Sequence, residues 1–280
     1  MTIPYPHIPP VIFSIGPLAL RWYGVMYAVG YALGYRLVRT RTARAILSIS
    51  RADLDSWIGY LVIGMLVGAR LTYVAVYDRP AYMRDPVEIL RVWHGGLSFH
   101  GAVLGMLIAC TLFAHVHKLR FLAVADLLAL AGTPGLFFGR LGNFINGELY
   151  GRPSNVPWAM IFPTDPLHVP RHPSQLYEAL AEGVLLGLII WTLARWSLAR
   201  GWYRSGLLAS AFLIGYGAFR FLLEFTRQPD AQLGLIVGPF SMGQLLSIGM
   251  PVLGSLLLIF VMRGPRVERS GHADDDHTTA

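Results

Sequence analysis

Long apolar segments constrain the fold of this chain more than any other feature of its sequence. The hydrocarbon core of a bilayer is about 30 Å thick, and an α-helix needs about 20 apolar residues to cross it. Of the 280 residues, 54% are hydrophobic and 14% are charged, against about 25% charged in a typical soluble domain. Seven segments are long enough, near 17–38, 55–76, 97–114, 121–139, 174–194, 206–225 and 240–262. We therefore predict an all-α integral membrane protein with seven transmembrane helices.

Lysine and arginine residues between the segments predict the orientation of the chain. Cytoplasmic loops of membrane proteins carry an excess of basic residues. Alternate gaps are the more basic ones, and they lie at 36–51, 115–120, 195–204 and 263–269. This pattern places the N-terminus in the periplasm and the C-terminus in the cytoplasm. Because the basic residues are spread over several gaps, they do not indicate a nucleic-acid-binding face.

We expect one membrane domain over residues 1–262. Within it, residues 140–173 form a small periplasmic cap, and residues 1–16 form a short interfacial lead-in that lacks the features of a cleavable signal peptide. Residues 263–280 are predicted to be a cytoplasmic tail, basic at first and then disordered. The one cysteine, Cys110, excludes a disulfide framework. We expect the protein to act as a monomer.

Pairs of glycines spaced four residues apart recur inside the apolar segments. In lipid, such spacing lets helix backbones approach closely, because small residues form the helix contacts there. We interpret these pairs as packing signals and assign them no chemistry. They are Gly30/Gly34, Gly64/Gly68, Gly101/Gly105, Gly135/Gly139 and Gly183/Gly187.

Residues 139–152, GRLGNFINGELYGR, place charged and amide side chains directly after the apolar run 121–138. Charged groups and irregular backbone at membrane depth are tolerated mainly where they are buried in protein or line a wet cavity. The predicted topology brings polar residues of other segments to the same outer level of the membrane. The resulting set is Tyr23, Arg70, His100, Arg140, Asn143, Asn146, Glu148, His172, Gln175, Arg220 and Glu224. This convergence predicts a functional site in the outer half of the bilayer.

Each of these residues also has a purely structural interpretation. Arg220 and Glu224 are four residues apart and can pair on one helix face. Arg70 can snorkel to the interface or pair two helices, and Tyr23 is typical of an aromatic belt. The asparagines can cap helix ends, and the histidines can begin or pack a helix. These interpretations do not explain why so many polar groups gather at one depth.

The gathered residue types favour chemistry on a lipid phosphate. Two arginines at headgroup depth would bind a phosphodiester, because guanidinium matches phosphate oxygens bidentately. A nearby histidine can accept a proton near neutral pH. The sequence contains no GxSxG, HExxH or phosphate-loop motif, so it lacks the parts of a serine hydrolase or a zinc protease. We expect no metal and no organic cofactor.

Six segments of the chain form a recognisable set. They are RWYGVMY (21–27), HGGLSFHGAVLG (94–105), GRLGNFINGELYGR (139–152), RHPSQLYEAL (171–180), GYGAFRFLLEFTRQPDAQ (215–232) and SMGQLLSI (241–248). In this order, from about residue 11 to residue 262, the chain resembles bacterial prolipoprotein diacylglyceryl transferase. The resemblance implies a seven-span inner-membrane enzyme that transfers diacylglyceryl from phosphatidylglycerol to the lipobox cysteine of a prolipoprotein signal peptide. The product is a thioether-linked precursor, and glycerol phosphate is released.

The resemblance also assigns roles to individual residues. It implies that Arg140 and Arg220 hold the lipid phosphate, that His100 assists activation of the thiol, and that Tyr23 contributes to activity. His94 receives no role. The segment 153–171 is shorter than in the better-known members, which bears on the size of the periplasmic cap. The remaining positions, expected to bind substrate or shape the site, are Asn143, Asn146, Glu148, Gly151, His172, Gln175 and Glu224.

Two other classes of function remain open from the residues alone. A lipid or anion transporter would use the same arginines to bind a phosphate headgroup without chemistry. Alternating access needs a route to the inner side, and polar groups confined to the outer half do not supply one. A structural membrane subunit would use the charges only to pair helices, and it would tolerate exchange of arginine for lysine.

Overall fold

The computed structural model describes residues 3–16, 18–77, 79–92, 95–228, 235–237 and 240–264. The predicted disordered tail and His94 lie outside the described residues. Contacts divide the chain into two compact units, Met1–Ile46 with Asp126–Ala280 and, separately, Leu47–Ala125. The first unit carries Arg140 and Arg220, and the second carries Arg70 and His100.

A helix lies in each of the seven predicted apolar segments, so the protein is mostly helical as expected. The helices are α1 Trp22–Val38, α2 Arg41–Ile46, α3 Arg51–Val76, α4 Arg79–Arg84, α5 Phe99–Val116, α6 Phe121–Ile145, α7 Ser174–Ala199, α8 Leu207–Leu223 and α9 Met242–Arg263. The short α-helices α2 and α4 lie in the gaps between the predicted segments. In the described part of the chain, the four helices α3, α5, α6 and α7 are candidate membrane spans by length and composition.

Two small antiparallel sheets correct the all-α prediction. Strand β1 (Val11–Ile15) pairs with β2 (Leu18–Arg21), and β3 (Leu235–Val237) pairs with β4 (Phe240–Ser241). The predicted first and last spans therefore began too early, since their opening residues are strands. The β-branched residues of β1 favour a strand, and Gly16, at φ +57°, supplies the left-handed residue of the turn before β2.

Helix α6 ends at Ile145, six residues beyond the predicted end at 139. Glycine has a low helix propensity, but Gly139 and Gly142 lie within the helix because α1 packs against them. A Cβ atom on Gly142 would lie 2.8 Å from Cδ2 of Tyr23. Arg140 therefore stands on a regular helix, and residues 140–145 are not part of the cap that the sequence predicted.

The glycine pairs make the helix contacts that the sequence predicted. In the second unit, a Cβ on Gly105 would lie 1.9 Å from the carbonyl oxygen of Gly64, so α3 and α5 touch through their backbones. In the first unit, a Cβ on Gly34 would lie 2.6 Å from the carbonyl oxygen of Ala131, and one on Gly183 would lie 2.5 Å from Cβ of Phe137. These contacts hold α1 and α7 against α6.

Asp126, which the sequence analysis did not select, fixes the start of α8 against α6. Its carboxylate is fully buried. It accepts hydrogen bonds from the backbone amides of Gly206 and Ala209, both at 2.7 Å, and from the Tyr203 hydroxyl at 2.5 Å. A carboxylate at a helix N-terminus satisfies amides that have no partner within the helix. The contact sets the position of α8, whose last turn carries Arg220.

The cap, defined here as residues 146–173, has a small core of its own. The N-terminal residue Tyr5 packs in that core and donates a hydrogen bond to the carbonyl of Phe144 at 2.6 Å. The core residues are Tyr5, Phe144, Met160 and Phe162, with Tyr150 and Leu176 packed against them. The predicted lead-in is thus tied to the cap through Tyr5.

A buried ion pair links two residues near the C-terminal end of the cap. Arg171 donates from Nε to Oδ2 of Asp165 at 2.6 Å and from Nη2 to Oδ1 at 2.8 Å. These hydrogen bonds hold the pKa of Asp165 below its ordinary value of 3.8. The stabilisation is therefore fully present above that ordinary value, and it is lost as the pH falls through the depressed pKa of the folded protein.

We predict that Asp165→Asn lowers the midpoint of thermal unfolding at pH 7, because it leaves the buried Arg171 without a counter-charge. Removing one partner of such a pair typically destabilises by about 3–5 kcal/mol. The difference from wild type should shrink as the pH falls below 3.8 and through the depressed pKa of Asp165, because the wild-type carboxylate then becomes protonated. Circular dichroism in detergent micelles measures both midpoints. The matched control is Asp85→Asn, whose side chain is 55% exposed, and a pH-independent difference would contradict the prediction.

Candidate active site

Arg140 and Arg220 meet at one carboxylate oxygen. Nε of Arg140 lies 2.7 Å from Oε2 of Glu178, and Nη1 of Arg220 lies 3.2 Å from the same oxygen. Arg140 comes from the C-terminal part of α6, Glu178 from the first turns of α7, and Arg220 from the last turn of α8. Three helices thus place two guanidinium groups around a single anion.

Two further carboxylates complete this arginine–glutamate cluster. Glu182 lies 3.8 Å from Arg140 Nη2 and 3.9 Å from Arg220 Nη1. Glu224 lies 3.5 Å from Arg220 Nη2, the contact that the structural interpretation of their spacing allowed. The side chains of Arg140 and Arg220 are 18% and 16% exposed. The side chains of Glu178 and Glu182 are 2% and 0% exposed. An anion that approaches the cluster therefore meets arginine.

Helix α7 is irregular where it carries these glutamates. Residues Ala179–Leu185 form a π-helical segment, which contains Glu182 and directly follows Glu178. Such segments widen a helix locally and are frequent at functional sites. Gly183, in the same segment, makes the close contact with Phe137 of α6. The glycine contact brings α7 against α6 one turn before Arg140, at the level where the carboxylates reach the guanidinium groups.

A second polar cluster shapes the chain where it leaves α6. The side-chain amides of Asn143 and Asn146 both donate to Oε1 of Glu148, at 2.8 and 3.2 Å. Gln175 donates to the carbonyl of Glu148 at 2.6 Å, and Ser174 donates to the carbonyl of Leu149 at 3.0 Å. Four of the residues predicted from the sequence are thus brought together here. Their contacts join the end of α6 to the start of α7.

Tyr23 lies on α1 beside the helix that carries Arg140. Its ring is packed on Gly142, and its hydroxyl is 3.2 Å from the hydroxyl of Tyr27. Tyr27 in turn lies 3.8 Å from the position of a Cβ on Gly139. The two tyrosines therefore line the face of α6 on which Gly139 and Gly142 sit.

Gly151 and His172 form a junction between the cap and the chain that follows α8. The amide of Gly151 donates to the carbonyl of His172 at 2.8 Å, and the amide of Arg152 donates to the carbonyl of Thr226 at 2.9 Å. A Cβ on Gly151 would lie 2.3 Å from the Thr226 carbonyl oxygen, so no side chain fits. Burial lowers the pKa of His172 below its ordinary value of 6.5, and its Nδ1 lies 3.2 Å from the Tyr177 hydroxyl. In this structure both residues serve the architecture of the site.

His100 lies in the second unit, on the exposed first turn of α5, with its ring against that of Phe99. Its assignment to the site remains a prediction from the sequence. Among the described residues, no three His, Cys, Asp or Glu side chains are grouped as the ligands of a metal ion would be.

Glu178 and Glu182 were not predicted from the sequence to be members of the site. Glu178 belongs to a segment that was singled out, but no role was predicted for it, and Glu182 was not considered. A signal was present, since two glutamates four residues apart inside an apolar run need partners in a membrane. The π-helical segment that turns them toward both arginines has no comparable signal in the sequence.

Comparison with known proteins agrees with these features. A family model described as prolipoprotein diacylglyceryl transferase matches residues 10–260. The chain belongs to this family. It is 48% identical over 267 residues to the phosphatidylglycerol–prolipoprotein diacylglyceryl transferase of Bordetella parapertussis, a match that covers 93% of this chain and 98% of that protein.

Two further relatives carry the same name. The protein of Azospirillum brasilense is 46% identical over 270 residues, which cover 95% of this chain and 98% of that protein. The protein of Geobacter sulfurreducens is 47% identical over 259 residues, which cover 92% of this chain and 97% of that protein. The family thus extends over both units and includes every residue of the arginine–glutamate cluster.

We predict that Glu178→Gln lowers the midpoint of thermal unfolding more than Glu182→Gln does. The first substitution removes the charge that both guanidinium groups share at hydrogen-bonding distance, and loss of such a buried partner typically destabilises by about 3–5 kcal/mol. Glu182 makes only contacts of 3.8 and 3.9 Å. Because the Glu182 side chain is also fully buried, a neutral amide there removes part of the cost of burying a charge.

Light scattering and circular dichroism of the two purified variants during heating provide the measurement. Equal midpoints for the two variants, or a larger loss for Glu182→Gln, would show that Glu178 is not the principal bridge between the arginines.

Proposed function

We propose that the chain transfers the diacylglyceryl group of phosphatidylglycerol to the thiol of the lipobox cysteine of prolipoproteins. The product is a thioether, glycerol phosphate is released, and the reaction is the first step of bacterial lipoprotein maturation. The observation that carries the proposal is the meeting of Arg140 and Arg220 at one site, in a chain related over 93% of its length to a transferase with that name. No other described contact offers two partly exposed guanidinium groups of separate helices to one anion.

The carboxylates explain how two arginines can wait in an apolar environment without substrate. A charged side chain in the middle of a membrane helix costs about 2.5–3.5 kcal/mol on insertion scales. Glu178, Glu182 and Glu224 offset the charge of the guanidinium groups. Each guanidinium has five N–H donors in a planar fork, so an arginine that donates to a carboxylate on one edge can donate to a phosphate on another.

In the proposed reaction, the cysteine thiolate attacks the glycerol carbon that is bonded to the phosphate oxygen. A C–S bond forms, the C–O bond breaks, and its electron pair leaves with glycerol phosphate. A free cysteine has a pKa of about 8.5, so the thiol proton must pass to a base or to the leaving phosphate. His100 is proposed to assist this activation of the thiol. Arg140 and Arg220 stabilise the charge that grows on the phosphate, and fixed donors of this kind contribute about 3 kcal/mol each.

Both substrates of this reaction are held in a membrane, which accounts for a site among membrane helices. We infer a bacterial inner-membrane protein of seven spans, formed by α1, α3 and α5–α9, with one membrane domain over residues 1–262. The N-terminus and the cap lie in the periplasm, and the C-terminal residues 263–280 lie in the cytoplasm. The protein acts as a monomer, and the scheme uses the side chains of the chain without a cofactor. Tyr23, Asn143, Asn146, Glu148, Gly151, His172, Gln175 and Glu224 are proposed to shape or contact the bound substrates.

We predict that Arg140→Ala and Arg140→Lys both lower transfer at least about 100-fold, because lysine cannot bind a phosphate bidentately. Purified protein is incubated with phosphatidylglycerol and a lipobox peptide, and the mass of the peptide is measured. Arg36→Ala, an exposed arginine in the last turn of α1, is the control and should retain wild-type transfer. Near-normal transfer by Arg140→Lys would remove the phosphate-binding role. Lipid movement across liposomes without any peptide modification by wild type would indicate a transporter instead.

We also predict that His100→Ala lowers transfer at least about tenfold, as expected for loss of a general base, whereas His94→Ala changes it less than about twofold. The same mass measurement compares the two variants. Equal losses would mean that the base has been assigned to the wrong position of this segment.

A further inference from the structure

Arg70 is a buried cation that the proposed mechanism does not use. It lies near the end of α3 in the second unit and is 4% exposed. Its guanidinium is stacked over the ring of Tyr82 at 5.0 Å. Its five N–H groups all donate to backbone carbonyls, those of Glu88, Ile89, Arg91, Gly95 and Gly96. All the donors of a guanidinium are therefore satisfied by backbone alone.

All five acceptors belong to the segment that joins α4 to α5. The bonds to Ile89 and Gly96 are 3.0 and 3.1 Å long. The loop approaches the arginine so closely that a Cβ on Gly96 would lie 2.7 Å from Arg70 Nη1. Gly95 and Gly96 both have positive φ, +89° and +72°. Glu88 and Ile89 belong to a short 3-10 helix, Pro86–Leu90, whereas Arg91, Gly95 and Gly96 lie outside it. Arg70 thus ties this 3-10 helix and the loop after it to one side chain of α3.

The same anchor continues into the first turn of α5. The amide of Ser98 donates to the carbonyl of Ala69, the residue before Arg70, at 3.0 Å. Ser98 is buried, and its hydroxyl accepts from the amide of Gly101 as the N-cap of α5. His100 lies two residues after Ser98, in the first turn of α5. The position of His100 relative to α3 is therefore set by contacts of Ala69 and Arg70.

We propose that Arg70 is a positioning residue that fixes the segment before α5 and, through Ser98, the place of His100. The inference rests on the proposed function in so far as His100 takes part in transfer. Lysine cannot substitute, because its three donors radiate from one atom, whereas the five acceptors are arranged around a planar fork. The role is distinct from snorkelling and from helix pairing, since the partners are carbonyls of a loop.

Two perturbations test the contact from opposite sides. Arg70→Lys removes the fork, and Gly96→Ala pushes the guanidinium away without removing it. Each has a matched control. Arg91→Lys changes a 40% exposed arginine of the same segment, whose ion pairs with Asp85 and Glu88 a lysine can keep. Gly201→Ala introduces similar backbone strain, at φ +69°, where a Cβ meets nothing within 4 Å and no contact with Arg70 is involved.

Hydrogen exchange of the backbone amides between residues 86 and 98, followed by mass spectrometry, is the readout that does not depend on activity. We expect faster exchange in Arg70→Lys and Gly96→Ala, with exchange in the middle of α3 and α5 unchanged. Both controls should exchange as wild type does between residues 86 and 98. Unchanged exchange in both test variants would overturn the inference, even if wild type itself were found to transfer no lipid.

Transfer kinetics then test whether the anchor acts through His100. Arg70→Lys and Gly96→Ala should lower kcat at least about tenfold with a smaller change in KM, while Arg91→Lys stays within about twofold of wild type. In a His100→Ala background, Arg70→Lys should lower kcat by less than about twofold further, because residues that act as a unit show strongly non-additive losses. Two independent losses that multiply would overturn the inference, as would wild-type kinetics in both test variants. Absence of transfer by wild type would instead refute the proposed function.

Discussion

The shared carboxylate of Glu178 is the interaction on which the rest of the site depends. Two arginines of separate helices would repel one another in an apolar environment, where charges interact strongly. One oxygen within 2.7 and 3.2 Å of the two guanidinium groups removes that repulsion and fixes the distance between them. The remaining architecture serves to deliver three helices to this point. Gly183 lets α7 approach α6, and Asp126 holds the start of α8.

The polar residues outside this cluster divide into two groups by their contacts. Asn143, Asn146, Glu148 and Gln175 bond to one another where α6 gives way to the cap, and Gly151 and His172 bond the cap to the chain after α8. These contacts are architectural in the described structure. They explain how a short segment with little regular structure can hold the ends of three helices that carry the site at fixed positions, which a site for two membrane-bound substrates requires.

The sequence predicted the helices well because long apolar runs have few alternatives in a membrane. It predicted Arg140, Arg220 and the Arg220–Glu224 pair because charges in such runs are rare and need partners. It missed the strands β1–β4, since short apolar strands and helix ends look alike in composition. It also missed Glu178, Glu182 and Asp126, whose roles depend on which helices touch and on a π-helical segment. Arg70 was noticed, but its loop carbonyl partners carry no side-chain signal.

The central claim is that Arg140 and Arg220 bind one lipid phosphate together. The most direct measurement is solid-state NMR of the ¹⁵N-arginine-labelled protein with phosphatidylglycerol, recording ³¹P–¹⁵N dipolar dephasing. The account predicts guanidinium nitrogens of two arginines within about 4 Å of one phosphorus, with one contribution lost in Arg140→Lys and the other in Arg220→Lys. A phosphorus contact that survives both substitutions, or none in the wild type, would contradict it.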